Sequence, residues 1–195
     1  MKREWVSTVT RFAILFAVCF AALAAVWPYA APAYTRAVTA VARPVFRWIE
    51  TPDLTVLDAQ DDRLGVYRIV GDHRIAPVVV FDRYLLFAVV PLLALFAATP
   101  GIGMRRRAVR ACFGVAALFV LHIAYLVTSI ELIYAVAAGR TVDALQTTVR
   151  ILWESAPIAV WVALSADAWR RVFRTSRNQT ETTGSPIAGA VGAEG

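Results

Sequence analysis

A set of ionisable residues lies inside or beside the long apolar stretches of this sequence, where a charge is costly unless it is paired or reached by water. This polar cluster comprises Asp82, Arg83, His122, Glu131, Arg150 and Glu154. At about 1.5 Å per helical residue, the two carboxylates of Glu131 and Glu154 fall at one outer level with Asp82 and Arg83. We expect Arg83 to pair with one of these acids, and Arg150 to join from an outer loop.

Two interpretations of the polar cluster remain open. It is either an interfacial network of ion pairs that fixes helix packing, or a polar pocket that receives a peptide, a lipid head group or a partner's side chain. His122 lies deeper, near the middle of its apolar stretch. We interpret it as a packed histidine bonded to another helix, with a proton relay or catalytic base as the alternative.

Other motifs predict no catalytic, cofactor or metal site. Cys112 lies ten helical residues from His122, or about 15 Å along the axis, which is too far for a dyad on one helix. His73 and His122 differ in depth, and the acidic run of Asp58, Asp61 and Asp62 lacks the glycine and final glutamate of a calcium loop. We therefore predict no cofactor and no bound metal.

The elements that must position these residues are four apolar stretches. The sequence is 59% hydrophobic and only 17% charged, whereas ordinary soluble domains carry about 25% charged residues. Uninterrupted apolar runs of about 20 residues cross membranes as helices, because hydrocarbon offers backbone groups no partners. We predict an all-α membrane protein with four transmembrane helices, at residues 12–29, 77–99, 109–138 and 151–169.

Arginine and lysine residues predict the orientation of these helices. Eleven of the 20 basic residues flank the spans on one side: Lys2, Arg3, Arg11, Arg105, Arg106, Arg107, Arg110, Arg170, Arg171, Arg174 and Arg177. The positive-inside rule makes residues 1–11, 100–108 and 170–195 cytoplasmic, and loops 30–76 and 139–150 periplasmic. This placement explains the basic residues by topology and by attraction to anionic lipid, and it predicts no nucleic-acid partner. The tail from 170 to 195 should be largely disordered.

The first periplasmic loop carries the rest of the predicted fold. Residues 33–50 have apolar side chains at helical spacing, typical of an amphipathic helix on the outer membrane surface. Residues 54–70 contain two β-type runs around a polar turn, which predicts a β-hairpin with an edge open to a partner strand. The first span also resembles a signal peptide followed by Ala31-Pro32-Ala33, although its length favours an uncleaved anchor.

One segment resembles a known family. It is Val90-Pro91-Leu92-Leu93-Ala94-Leu95-Phe96-Ala97-Ala98-Thr99-Pro100-Gly101, followed by Arg105-Arg106-Arg107 and then by His122. In these features the chain resembles the exosortase H-associated membrane proteins of Gram-negative bacteria. The resemblance implies that the partner is an exosortase, an integral membrane protease or transpeptidase that processes proteins with a C-terminal sorting signal. It carries over no catalytic residue.

Together these patterns and the resemblance favour a non-enzymatic accessory subunit of the bacterial inner membrane, which contacts membrane lipid and a membrane protein partner. The alternative is a small membrane enzyme or transporter that acts on a lipid-linked or peptide substrate through the polar cluster. A structural role in the export of cell-envelope polymers would give the same sequence pattern.

Overall fold

The structure, a computed structural model, describes the backbone of residues 2–49, 55–60, 63–70, 73–74, 79–81 and 85–183. This part of the chain forms helices α1 (Lys2–Ile49), α2 (Val89–Ala98), α3 (Met104–Ala137) and α4 (Asp143–Thr183), with a small antiparallel sheet. Within α1, α3 and α4, three segments are long and apolar enough to cross a membrane: Val6–Ile49, Met104–Val136 and Asp143–Arg170. The predicted helical membrane fold is confirmed.

Helix α1 joins two elements that the sequence predicts separately. Its 48 residues run without interruption through the first span and the predicted amphipathic helix, over a length of about 72 Å. Pro28, Pro32 and Pro44 all lie inside it. Each proline removes one backbone donor, yet helices packed among apolar neighbours tolerate this loss.

The second half of α1 has one exposed apolar face and one buried face. Val41, Trp48 and Ile49, which the sequence predicts to lie on the membrane surface, are exposed. The buried face recurs every three or four residues and consists of Ala31, Thr35, Val38, Thr39, Ala42 and Phe46. This helix therefore packs against the rest of the protein, because its small residues allow close approach.

The predicted hairpin forms and becomes the centre of a larger sheet. Strands β1 (Thr55–Gln60) and β2 (Arg63–Val70) pair from Thr55↔Arg68 to Gln60↔Arg63. Two short strands, β3 (His73–Arg74) and β4 (Val79–Phe81), then pair with the other edge of β2. Leu57, Leu64 and Val66 share one sheet face and belong to the same buried cluster as Phe46.

Polar contacts fix the sheet to two helices. The Nε and Nη2 groups of Arg43 on α1 donate to the carbonyl oxygen of Leu57 on β1, at 3.2 and 2.9 Å. The hydroxyls of Thr55 and Tyr134 lie 3.0 Å apart, and the Arg68 guanidinium lies 4.4 Å from the centre of the Tyr134 ring. The sheet is thus held between α1 and the end of α3.

The predicted second span, residues 77–99, begins too early. Residues 79–81 pair with β2 instead, a 3₁₀ turn follows at Leu85–Ala88, and only Val89–Ala98 are α-helical. Apolar β-branched residues such as Val79 and Val80 can form a strand as well as a helix. Which of the two they form depends on the partner that the fold places beside them. Helix α2 packs against α1, α3 and α4.

The remaining helices extend beyond their predicted limits. Helix α3 begins five residues before the predicted position 109, and α4 begins at Asp143 rather than at 151. The backbone of α4 stays helical to Thr183, where a largely disordered tail is expected from 170. The part of the predicted tail after Thr183 lies outside the described residues.

Candidate functional site

Side-chain contacts define how α3 and α4 lie against each other. Arg110 forms a 2.7 Å ion pair with Asp167, and the rings of His122 and Trp153 lie 4.3 Å apart. Along α3 the residue number rises from Arg110 to His122, whereas the residues that they contact on α4 fall from 167 to 153. The two helices are therefore antiparallel. We call the end that holds Arg110 and Asp167 the arginine end, and the end that carries β1–β4 the sheet end.

The antiparallel arrangement separates members of the polar cluster that the sequence places at one level. Glu154 follows Trp153 and therefore lies near the level of His122. Glu131 lies nine helical residues beyond His122, or about 14 Å closer to the sheet end. The expectation that these two glutamates share a level is therefore wrong. Asp82 and Arg83 lie outside the residues whose side chains the structure describes.

Arg150 and Glu154 are the cluster members that the structure brings together. Their Nε and Oε1 atoms lie 2.8 Å apart, one helical turn from each other on α4. Both side chains are exposed, at 74% and 61%, so solvent or lipid head groups reach the pair. Arg150 therefore pairs with Glu154 from within helix α4, whereas the sequence predicts that Arg150 joins the cluster from an outer loop.

His122 is buried at the junction of α1, α3 and α4. Its Nδ1 atom lies 2.6 Å from the hydroxyl of Tyr34 on α1. The Tyr34 ring meets the imidazole edge-on at 5.4 Å, and Trp153 covers it from α4. If the phenol donates, Nδ1 accepts and the imidazole proton resides on Nε2. The interpretation of His122 as a packed histidine bonded to another helix is confirmed.

A groove between α3 and α4 opens beside this histidine. Its apolar part has a volume of about 210 Å³ and is lined by residues that include Leu121, Ala124, Leu152, Trp153 and Ala156. Its polar part has a volume of about 140 Å³ and adds Ser129, Gln146 and Arg150. Tyr125 and Val149 line both parts, so we treat them as one α3–α4 groove.

The cysteines take no part in the His122 centre in this structure. Cys112 is exposed and lines a separate shallow apolar depression of about 590 Å³ with Leu93 and Phe119. Cys19 is half-buried in α1. Across the described residues, no group of three or more histidine, cysteine, aspartate or glutamate side chains is arranged to hold a metal ion.

Thr99 forms a polar junction that the sequence analysis missed. Its hydroxyl donates to the Leu95 carbonyl at 2.6 Å and accepts the indole N–H of Trp161 at 2.9 Å. Its carbonyl oxygen accepts from Arg107 Nη2 at 3.0 Å. Thr99 therefore ties the end of α2 to both α3 and α4.

The Arg110–Asp167 ion pair was missed as well. In the sequence, Arg110 is predicted only as a flanking positive charge, and no partner is predicted for Asp167. The sequence does contain a signal for this pair, because Asp167 is an acidic residue at the end of an apolar stretch, three positions before Arg170. A carboxylate near hydrocarbon needs a cation as its partner.

Comparisons with known proteins show no relative of this chain. No protein family model, no curated protein and no solved structure matches it.

Proposed function

We propose that this chain is a non-enzymatic accessory subunit of the bacterial inner membrane, with both termini in the cytoplasm. Its outer platform, meaning residues 41–49 of α1 together with strands β1–β4, contacts a partner membrane protein. The family resemblance makes an exosortase the proposed partner. Three long apolar helices support membrane insertion, and the clustered arginines support this orientation.

The observation that carries the proposal is an exposed apolar stripe on the outer platform. Trp48 is 86% exposed, and Val41 and Ile49 on the same helix are also exposed. The opposite face of this helix segment is buried against the protein and the sheet. Large exposed aromatic residues beside a fixed scaffold are typical of protein interfaces, where tryptophan often dominates the binding energy.

Side chains of α1 suit docking better than a strand edge does. Strand addition requires a row of free backbone groups along an open edge. The second edge of β2 already pairs with β3 and β4, and Arg43 occupies the carbonyl oxygen of Leu57 on β1. We therefore assign the main contact to the stripe of Val41, Trp48 and Ile49, with the sheet as its support.

Co-purification of the full chain with its partner tests the proposal. A C-terminal tag, crosslinking in intact cells and mild solubilisation should recover a multispan protease in near-equal amount. Trp48→Ala should reduce that recovery at least tenfold, because central aromatic contacts contribute about 2 kcal/mol or more.

Tyr29→Ala is the matched control, since Tyr29 lies on the same helix and is 85% exposed. This variant should keep the partner. Recovery of the chain alone, or only with copies of itself, would contradict the accessory role and favour the enzyme or transporter alternative. Equal losses in both variants would instead contradict the assignment of the stripe.

A further inference from the structure

We infer that the α3–α4 groove binds an anionic phospholipid, with an acyl chain against Trp153 and the phosphate at Arg150. This inference does not depend on the accessory role, because it concerns a different face of the molecule. It rests on the polarity of the groove, on the donors at its rim and on its position along the two helices.

The apolar part of the groove suits a hydrocarbon chain. Leu121 and Ala124 of α3 face Leu152 and Trp153 of α4 across it, and the groove is open along one side. Trp153 is itself buried, and its ring stacks on Tyr125 at 4.8 Å, so the floor is firmly held. A chain from the surrounding bilayer can enter sideways and gain contact with this floor.

The polar part of the groove has three added hydrogen-bonding side chains beside apolar ones such as Leu132 and Ile133. Ser129, Gln146 and Arg150 line it, and Arg150 is the cation among them. The ion pair with Glu154 uses the Nε–H of Arg150. A guanidinium has five N–H donors in a planar fork, which matches two phosphate oxygens at once.

The apolar and polar parts of the groove follow each other along the helices as the acyl chain and the head group do in a phospholipid. Arg150 lies 17 helical residues from Asp167, or about 26 Å from the arginine end, and the hydrocarbon layer is about 30 Å thick. The polar part therefore lies near the head groups of the leaflet at the sheet end, and the apolar part lies deeper.

Native mass spectrometry of the full chain in mild detergent tests this inference. The protein is titrated with phosphatidylglycerol and with phosphatidylcholine of identical acyl chains. We expect phosphatidylglycerol to bind about tenfold more tightly, because its head group has a net negative charge, whereas the choline cation of phosphatidylcholine offsets the phosphate charge and repels Arg150. Arg150→Gln should remove this preference.

Three further variants separate the site from general effects. Arg140→Gln, at an exposed arginine in the turn before α4, should keep the preference. Glu154→Gln should increase phosphatidylglycerol binding by releasing Arg150 from its carboxylate. Ala124→Trp should fill the apolar part and weaken the binding of both lipids.

Equal affinity for the two lipids in the unaltered protein would overturn the inference. So would a preference that survives in Arg150→Gln, or one lost equally in Arg140→Gln. A stable dimer joined through the groove, detected by crosslinks at Leu152, would show that a second copy occupies it instead.

Discussion

A single hydrogen bond links the middle of α3 to α1. His122 and Tyr34 are 88 positions apart in sequence, yet their Nδ1 and hydroxyl oxygen lie 2.6 Å apart. Inside a helix bundle such a bond contributes only about 0.6–2 kcal/mol, because alternative partners exist before packing is complete. Its main effect is to fix the register and rotation of α1 against α3.

Tyr34→Phe should lower the free energy of unfolding by about 1 kcal/mol, since it removes the hydroxyl that contacts the buried imidazole. Thermal unfolding in detergent, followed by circular dichroism, measures this loss. Tyr29→Phe deletes the same oxygen from an exposed ring and should leave the unfolding midpoint unchanged. Equal midpoints for the two variants would show that the bond has no net stabilising effect.

The sequence predicts that His122 needs a partner within the bundle, but it does not identify Tyr34. The need follows from burying a polar ring in hydrocarbon, which is a local property. The choice of partner depends on how far α1 continues beyond the first span. The sequence predicts the first span over residues 12–29 and a separate surface helix over residues 33–50, which contains Tyr34.

At the scale of elements, the position of α2 against α3 depends on Gly114 of α3. A Cβ atom at Gly114 on α3 would lie 2.7 Å from the Phe96 ring and 3.2 Å from Leu92. Both of these α2 side chains are fully buried, so they have little room to move. The absence of a side chain at Gly114 thus allows α2 to lie directly on α3.

Gly114→Ala should therefore destabilise the fold by about 1–3 kcal/mol, the usual cost of overpacking a well-packed core. The midpoint of thermal unfolding and the amount of protein in membranes measure the effect. Gly103→Ala is the control, because a Cβ atom there meets nothing within 4 Å. An unchanged midpoint in Gly114→Ala would mean that Phe96 can turn aside at little cost.

Element types are predicted better than element lengths. The alternation in residues 54–70 predicts the hairpin, and the predicted turn includes the two residues between Gln60 and Arg63. The short length of α2 was not predictable, because Val79–Phe81 form a strand only where β2 offers an edge. Because residues 79–81 pair with β2, this part of the predicted second span is not helical.

At the scale of the whole molecule, the two ends differ in charge and in structure. The arginine end carries Arg107 and Arg110, whereas the sheet end carries β1–β4 and the α3–α4 turn. The 3₁₀ turn and α2 together extend about 23 Å, which is less than the hydrocarbon thickness. Helix α2 packs against α1, α3 and α4, and its side chains Val90, Leu92 and Phe96 are buried among them.

Reporter fusions should locate the two ends on opposite sides of the membrane. Alkaline phosphatase fused after Gly139 should be active, because the proposed orientation places that turn in the periplasm. Fusion after Gly103 should give an inactive enzyme, and green fluorescent protein at the C-terminus should fluoresce. An active phosphatase after Gly103 would mean that α2 returns without crossing the membrane.

The junction at Thr99 also constrains the order in which the chain assembles during synthesis. Two of its three partners, Arg107 and Trp161, are synthesised after Thr99, and Trp161 lies in the last helix. Until α4 has left the ribosome, the end of α2 is held by apolar contacts and by the Arg107 bond alone. A ribosome stalled before residue 161 would therefore carry a chain in which the hydrogen bond between Thr99 and Trp161 has not yet formed.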